Sequence, residues 1–334
     1  KMYKTYQKHI QNIGGLKMLI GYDNGMGNNK IFYKIGKKEF TIDFPSRVKK
    51  INEENPDALY IEGVPYTFVE GRLAVDNGHN TKDDEIHQLL LYKGMYEVYK
   101  ATGETEFDIS MNCSLDSYKD DKGKAVKDKM TESLEIKIKE KYKDEVMLKI
   151  NKLEVSPEAL VGGLLCKLKL REEDVIINDI GTKNFSQLQV INGTPLYETS
   201  FATKEGMSKI YKGVADRLKD HGLASPAAVQ MYFDKTSKGI HPIIKEVDEI
   251  ILNYLIETVF SEIDTRLEDL NISIFTKLVF LGGGAVYLKR FLEAKYTERE
   301  IIFVEDGYFA NAKGLYKRGE RLFGYVNPVK KAGV

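Results

Sequence analysis

The chain is poor in several features that would each point to a class of protein. It has two cysteines in 334 residues, Cys113 and Cys166, so a disulfide framework is excluded. No signal peptide is visible, a reducing cytoplasm fits best, and both thiols are expected to be packed rather than reactive. No apolar run approaches the roughly 20 residues that span a bilayer. Neither charge dominates: Lys plus Arg and Asp plus Glu number 50 each, so no global field favours nucleic acid or membrane. The five histidines (His9, His79, His87, His221, His241) show no metal-ligand spacing, which argues against zinc chemistry. No stretch rich in Ser or Pro separates the halves of the chain, so two lobes should be packed and hinged rather than strung on a linker.

What is present is the profile of a soluble globular protein, with 42% apolar and 30% charged residues, and a length suited to two domains. Residues 1–17 form a polar, basic segment in which Tyr3, Tyr6, Ile10 and Ile13 recur at helical spacing opposite Lys1, Lys4 and Lys8. This segment reads either as a membrane-surface helix or as an extension ahead of a start at Met18. The second is favoured, because four weak anchors bury little apolar area.

From Met18 to Phe44 three short strands, "KMLIGY", "KIFYKI" and "EFTIDF", are joined by glycine turns. Pro45 to Thr81 is irregular, with one strand at "PYTFVE". Asp83 or Asp84 can cap a helix reaching Lys100, with Ile86, Leu89, Leu90 and Tyr96 inward. "TEFDISMNC" and "EVMLKINKLEV" read as strands. Between them, Ser117 to Glu145 is dense in both charges and reads as a solvated helix. "SPEALVGGLLCKL" reads as a helix with Ser156 as cap and Pro157 at its first position. The second half opens with the strand "VIINDI". A helix follows over "GMSKIYKGVADRLKDHG", a long one from about Pro242 to Leu267, and then strand, glycine turn and helix over "TKLVFLGGGAVYLKRFLEAKY".

The chemistry lies in a repeat. "LIGYDNGMGNNKIFYKIG" (19–36) runs an apolar strand into Asp23, spends two glycines in three residues, and resumes alternation; "VIINDIGTKNFSQLQVING" (175–193) repeats that grammar at Asp179. A strand ending in Asp places a carboxylate at a cleft mouth. Gly25 and Gly27 let the chain reverse and expose backbone N–H groups to phosphate oxygens. Asn28, Asn29 and Lys30 add donors and a positive charge, and Gly181, Thr182 and Lys183 supply the same parts from the other half. Two carboxylates repel a polyphosphate unless a cation intervenes, so Mg2+, held largely through water beside Asp23 and Asp179, completes the arrangement as a two-sided clamp on a nucleotide. Gly282, Gly283 and Gly284, followed by Ala285, sit at a strand end and open a helix, where backbone can approach a base or ribose. The rival Rossmann reading fails its G-x-G-x-x-G requirement.

In this order the pieces resemble the actin-like ATPase superfamily, and more closely the bacterial plasmid-segregation actins of the ParM and Alp group. The resemblance runs from Met18 to about Gly324. "LIGYDNGMGNNK" is similar to that group's first phosphate loop, and "CSLDSY" (113–118) to its "LPL..Y" segment. "VSPEALVGGLL" is similar to its connecting segment with a catalytic glutamate, "INDIGTKNF" to its second phosphate loop, "VFLGGGAVYLKRFLE" to its adenosine loop, and "FANAKGLYKRG" to its closing helix. The resemblance implies an α/β actin-like fold of two related lobes around a nucleotide cleft. Lobe I would span 18–172 with an insertion at about 37–85, lobe II 173–312, and 313–334 would form a C-terminal helix returning toward lobe I.

Further roles follow only from the resemblance. Glu158 corresponds to the acid that positions the attacking water. Asp179 is the partner for magnesium and lytic water, and Asp23 the other acid on the magnesium side. ATP or GTP would be hydrolysed in step with filament assembly. A ParR-type DNA-binding adaptor on a plasmid centromere would be the partner, with no direct nucleic acid and no membrane. One departure stands out: many members follow the second Asp-x-Gly with Thr-Thr-Asp, whereas Thr182 precedes Lys183, Asn184 and Phe185. The absent acid bears on hydrolysis rate and metal geometry more than on nucleotide binding. The alternatives are a small-molecule kinase of the same superfamily, a membrane-linked cytoskeletal actin of the MreB or FtsA kind, and a non-enzymatic nucleotide sensor.

Overall fold

The computed structural model describes residues 17–51, 55–68, 82, 84–163 and 173–325. In chain order the first half contains β1 (Met18–Asp23), β2 (Asn28–Ile35), β3 (Lys38–Pro45), β4 (Val48–Lys50), β5 (Leu59–Ile61), β6 (Val64–Phe68), α1 (Glu85–Thr102), β7 (Glu106–Cys113), α2 (Leu115–Asp121), α3 (Lys124–Met130), β8 (Glu135–Glu140), β9 (Val146–Pro157) and α4 (Leu160–Gly163). The second half contains β10 (Val175–Ile180), β11 (Phe185–Ile191), β12 (Thr194–Thr203), α5 (Met207–Arg217), α6 (Pro226–Ser237), α7 (Lys245–Leu255), α8 (Ser261–Asp269), β13 (Lys277–Leu281), α9 (Gly282–Lys295), β14 (Ile301–Phe303) and α10 (Ala310–Leu322).

The two sheets are built alike. Five strands of the nine-stranded sheet run β3-β2-β1-β7-β9, and the five-stranded sheet runs β12-β11-β10-β13-β14. In each, the first three strands are antiparallel and joined by tight links, and the last two are parallel to the central one. Parallel neighbours need long crossovers, and α1 to α3 supply them in lobe I, α5 to α9 in lobe II. β1 and β10 lie buried inside their sheets, with a strand on either side, which is why both read as near-continuous apolar runs. The remaining strands of the larger sheet, β8-β5-β6-β4, extend it beyond β9.

Each lobe has its own core, and a third apolar cluster joins them. It sets Leu115 and Ala159 from the first half against Val175, Ile177, Val279 and Leu281 from the second, with Ala310 of α10. Helix α10 approaches its neighbours at backbone distance. A Cβ on Gly21 of β1 would lie 2.1 Å from the Ala312 carbonyl oxygen, and one on Gly314 would lie 1.8 Å from that of Val161. Tyr316 meets Phe32 edge-on at 5.1 Å.

Local signals act where tertiary contacts leave them room. Asp84 caps α1, accepting from the His87 amide at 2.9 Å, and Gly103 closes it in the left-handed region. The expected long helix runs continuously from Lys245 to Asp269, through a π-helical stretch at Ile256–Phe260. Three expectations are corrected. The charged stretch holds two short helices and a strand, because "EIKIKE" alternates: Ile136 and Ile138 are buried and Lys137 faces out. The irregular stretch after Pro45 holds β4 and β5 besides β6. Ser156 and Pro157 end a strand rather than start a helix: they pair with Asn112 and Cys113 of β7, and the N–H that bonds the Cys113 carbonyl, at 3.0 Å, comes from Glu158 and not from proline, which has none. The end of "SPEALVGGLLCKL", the residues after Phe68 in "PYTFVE", and the 1–17 segment up to Leu16 lie outside the described residues.

Gly314→Ala should lower stability by about 1–3 kcal/mol through overpacking, read as a fall in the denaturant midpoint. An unchanged midpoint would mean that α10 is not held against Val161.

Candidate functional site

The two hairpins end at one cleft. β1 delivers Asp23 and turns through residues 24–27, and β10 delivers Asp179 and turns through 181–184. Their registers match: Asp23 pairs with Lys30 across its hairpin, and Asp179 with Ser186. The first loop is tightened by the Gly25 amide donating to the Asp23 carbonyl at 2.9 Å, and a Cβ on Gly25 would lie 2.2 Å from the Asn28 carbonyl oxygen. The second loop is fixed by the start of α5: Met207 N donates to Gly181 O at 3.0 Å and Ser208 N to Thr182 O at 2.8 Å. The loops touch, since a Cβ on Gly27 would lie 2.2 Å from Thr182 Oγ1.

The cleft is lined by Asp23, Gly25, Gly27, Asn28, Lys30, Glu158, Asp179, Gly181, Thr182, Lys183, Gly282 and Gly283 of the residues expected from the sequence. Three expected residues lie elsewhere. Asn29 is buried, with its amide donating to Ser46 Oγ at 2.9 Å and its carbonyl accepting from Tyr22 at 2.7 Å. Gly284 packs on Ile180, and Ala285 belongs to the lobe II core. Gly282 is the glycine whose backbone matters most: φ is +89°, and a Cβ would lie 2.4 Å from Asp179 Oδ1. Glu158 stands just after β9, ahead of Ala159 at φ +68°, rather than in a helical first turn.

Several residues missed in the sequence complete the site. Lys82, only 3% exposed, donates to Glu158 Oε2 at 2.8 Å. Ser186 donates to Glu158 Oε1 at 2.9 Å. Each aspartate receives a side-chain amide: Asn112 donates to Asp23 Oδ1 and Asn311 to Asp179 Oδ2, both at 2.7 Å. Tyr308 crosses the cleft mouth. Its hydroxyl accepts from Asn28 and donates to Asp43, each at 3.0 Å, and its ring lies against Gly283 and beneath Lys30. Lys82 carried no sequence signal. Asn112, a polar residue at the end of an apolar strand, and Asn311 inside "FANAKG" were the detectable ones.

The electrostatics are lopsided. Asp23, Glu158 and Asp179 are all buried and share two buried or half-buried ammoniums, Lys30 and Lys82. Burial alone would raise the Asp23 pKa, but Lys30 at 2.8 Å and the nearby Lys82 outweigh it and hold the carboxyl below its usual range. Burial would likewise depress Lys82, and Glu158 with Asp23 reverses this, raising it. Among the described residues no ammonium is paired with Asp179, which lies only within reach of the charge of Lys30. Burial and then repulsion from Glu158 push it up to about 6, against the Asn311 hydrogen bond. Among the described residues no three His, Cys, Asp or Glu side chains gather closely enough to hold a metal ion, so a divalent cation fits here only through water and ligand oxygens, as suits Mg2+. No helix among them is long and apolar enough to cross a membrane.

No protein-family model matches the chain, and no curated protein matches it in sequence. Solved structures do. An archaeal actin homologue, Ta0583, superposes with a TM-score of 0.71 at 20% identity, over 91% of this chain and 99% of that one. ParM of Bacillus thuringiensis, solved with ATP, gives 0.67 at 14% identity, over 93% and 100%. The Alp12 filament structure gives 0.66 at 18%, over 92% and 99%. The chain therefore has the actin-like α/β fold, two related lobes around a cleft.

Asp179 sets a pH test. Its pKa of about 6 against an ordinary 3.8 means the folded state holds that proton more tightly than the unfolded one, so this residue's contribution to stability falls as pH rises from about 4 to 6 and stays low above. Asp179→Asn should stabilise the nucleotide-free protein at pH 7.5 by up to about 3 kcal/mol, and the gain should vanish near pH 4. A variant no more stable than its parent at pH 7.5 would show that the charge is compensated.

Proposed function

We propose that this chain is a nucleotide-dependent, filament-forming ATPase of the ParM and Alp kind. The observation that carries the reading is the convergence of two register-matched, acid-tipped hairpins, one per lobe, on a single cleft. Two further supports are the glycine opening of α9 beside Asp179, and structural neighbours solved with ATP and as filaments.

In this reading the triphosphate lies between the two loops. Backbone N–H groups of both loops, the Thr182 hydroxyl, and the Lys30 and Lys183 ammoniums meet its oxygens. Asn28 adds a donor at the mouth. Gly282 and Gly283 let the ribose and base approach backbone. Asp23 and Asp179, one from each lobe, would hold a divalent cation through its water shell, and that cation would supply neutralisation of the charge developing on phosphate. Glu158 orients the attacking water and accepts its proton's hydrogen bond. Because the loops touch, nucleotide enters only when the lobes part there, and bound nucleotide then holds a closed shape that assembles. This is a population shift, driven by better binding to the closed form. Hydrolysis weakens the filament. A ParR-type adaptor bound to a plasmid centromere would couple filament ends to DNA, in keeping with a net charge of zero, which gives no global attraction for duplex. Action in the cytoplasm belongs to the same proposal.

Purified protein should sediment at high speed with Mg2+ and ATP and stay in solution without nucleotide; failure across salt and crowding conditions would favour the kinase alternative. Glu158→Ala should slow phosphate release by about 100-fold while leaving assembly intact. Unchanged release would remove Glu158 from the chemistry. Gly27→Val, which drives a side chain into Thr182, should weaken ATP binding by about tenfold or more; unaltered affinity would mean that this contact is not part of the closed site.

A further inference from the structure

The Glu158 carboxylate is held at both oxygens, and the two holds differ in origin. Lys82, which grips Oε2, belongs to the same half of the chain as Glu158, whereas Ser186, which grips Oε1, is the second residue of β11 in the other lobe. All three side chains are buried, at 3%, 8% and 2% exposure. A carboxylate with one tether still turns about its last bond, and a second tether fixes its plane. The second tether here crosses from one lobe to the other.

The comparison between the two hairpins sharpens the point. In the first, the residue opposite the aspartate turns back to it: Lys30 bonds Asp23 at 2.8 Å. In the second, Ser186 occupies the matching register position and bonds Glu158 instead, leaving Asp179 to Asn311. A serine hydroxyl has a single proton to donate. Since Glu158 receives it, Ser186 does not donate to a ligand and acts through Glu158.

We infer that Ser186 is a positioning residue that fixes the plane of Glu158 from the opposite lobe, so that turnover depends on this cross-lobe hydrogen bond. The inference rests on the ATPase reading above and adds a residue to it. Without the serine hydroxyl Glu158 is tethered to Lys82 alone, with its plane free to turn and no fixed direction for the water. A misplacement of this size typically slows a reaction without weakening ground-state binding.

The test compares the parent with Ser186→Ala, Ser186→Thr, Glu158→Ala and the Ser186→Ala/Glu158→Ala double variant. Three quantities are measured: steady-state ATP turnover with Mg2+, affinity for a non-hydrolysable ATP analogue, and amide hydrogen exchange over 155–160 in nucleotide-free protein. Ser186→Ala should lower kcat by about tenfold or more with KM and analogue affinity unchanged. Ser186→Thr, which keeps the hydroxyl, should recover most of the loss. The double variant should be no slower than Glu158→Ala alone. Exchange over 155–160 should quicken in Ser186→Ala and not in Ser186→Thr. If the parent turns over no ATP, the ATPase reading fails and takes this inference with it; if the parent is active and Glu158→Ala matches it, Glu158 is outside the chemistry and the inference falls alone. If Glu158→Ala is slow while Ser186→Ala keeps full turnover, or loses analogue affinity instead of kcat, the inference alone is overturned. Should Ser186→Ala fold poorly, Ser186→Cys, similar in shape with a weaker donor, must give an intermediate kcat; parental kcat would overturn the inference equally.

Discussion

Six charged groups line the cleft: the carboxylates of Asp23, Glu158 and Asp179 and the ammoniums of Lys30, Lys82 and Lys183. Buried charges stand only when paired, and the pairing here is uneven. Lys30 satisfies Asp23 and Lys82 satisfies Glu158, whereas Asp179 receives its side-chain hydrogen bond from a neutral amide, that of Asn311. Its raised pKa follows from burial and from repulsion by Glu158. A site built this way favours an arriving cation, and it favours one that brings its own oxygen ligands, because the protein oxygens already carry hydrogen bonds from Asn112, Asn311 and Ser186.

The symmetry of the lobes explains how the uneven pairing arises. Both hairpins present Asp at the same register position, but the residue opposite it is lysine in one and serine in the other. One lobe therefore neutralises its own acid, and the other turns its partner residue outward to Glu158 across the cleft. The departure noted after Thr182, where an acid is absent, lies in this second hairpin. Asn184, in the loop ahead of β11, stands where the acid would be and adds no further negative charge to the cleft.

Much of this was legible in the sequence wherever local chemistry and tertiary demand agree. The two Asp-tipped turns, the Asp84 cap and the glycine opening of α9 are short-range patterns, and the structure keeps them. The strand at Glu135–Glu140 was hidden by charge density, although its period of two was present in "EIKIKE". Pro157 carries a strong helix-start signal that loses to pairing with Cys113. The least legible residues were Lys82, Ser186 and Tyr308, which meet their partners across 76, 28 and 280 positions of chain. No local pattern encodes such contacts. Asn29 shows the converse: polar and adjacent to a phosphate-type loop, it is turned inward by alternation along β2 and satisfied by Tyr22 and Ser46.

Helix α10 is the element that both lobes share. Its first turn is tied to lobe II through Asn311 and Ala310, while Gly314 presses on α4 and its flank lies flat on β1 at Gly21. With backbone against backbone, that seam cannot slide without collision, so the lobes are left with rotation around it as their softest relative motion. Such an axle works as a lever: atoms near it barely shift, and displacement grows with distance from it. A small turn would thus leave the carboxylates beside Asn311 almost still while sweeping the outer rims of the two sheets through a much longer arc.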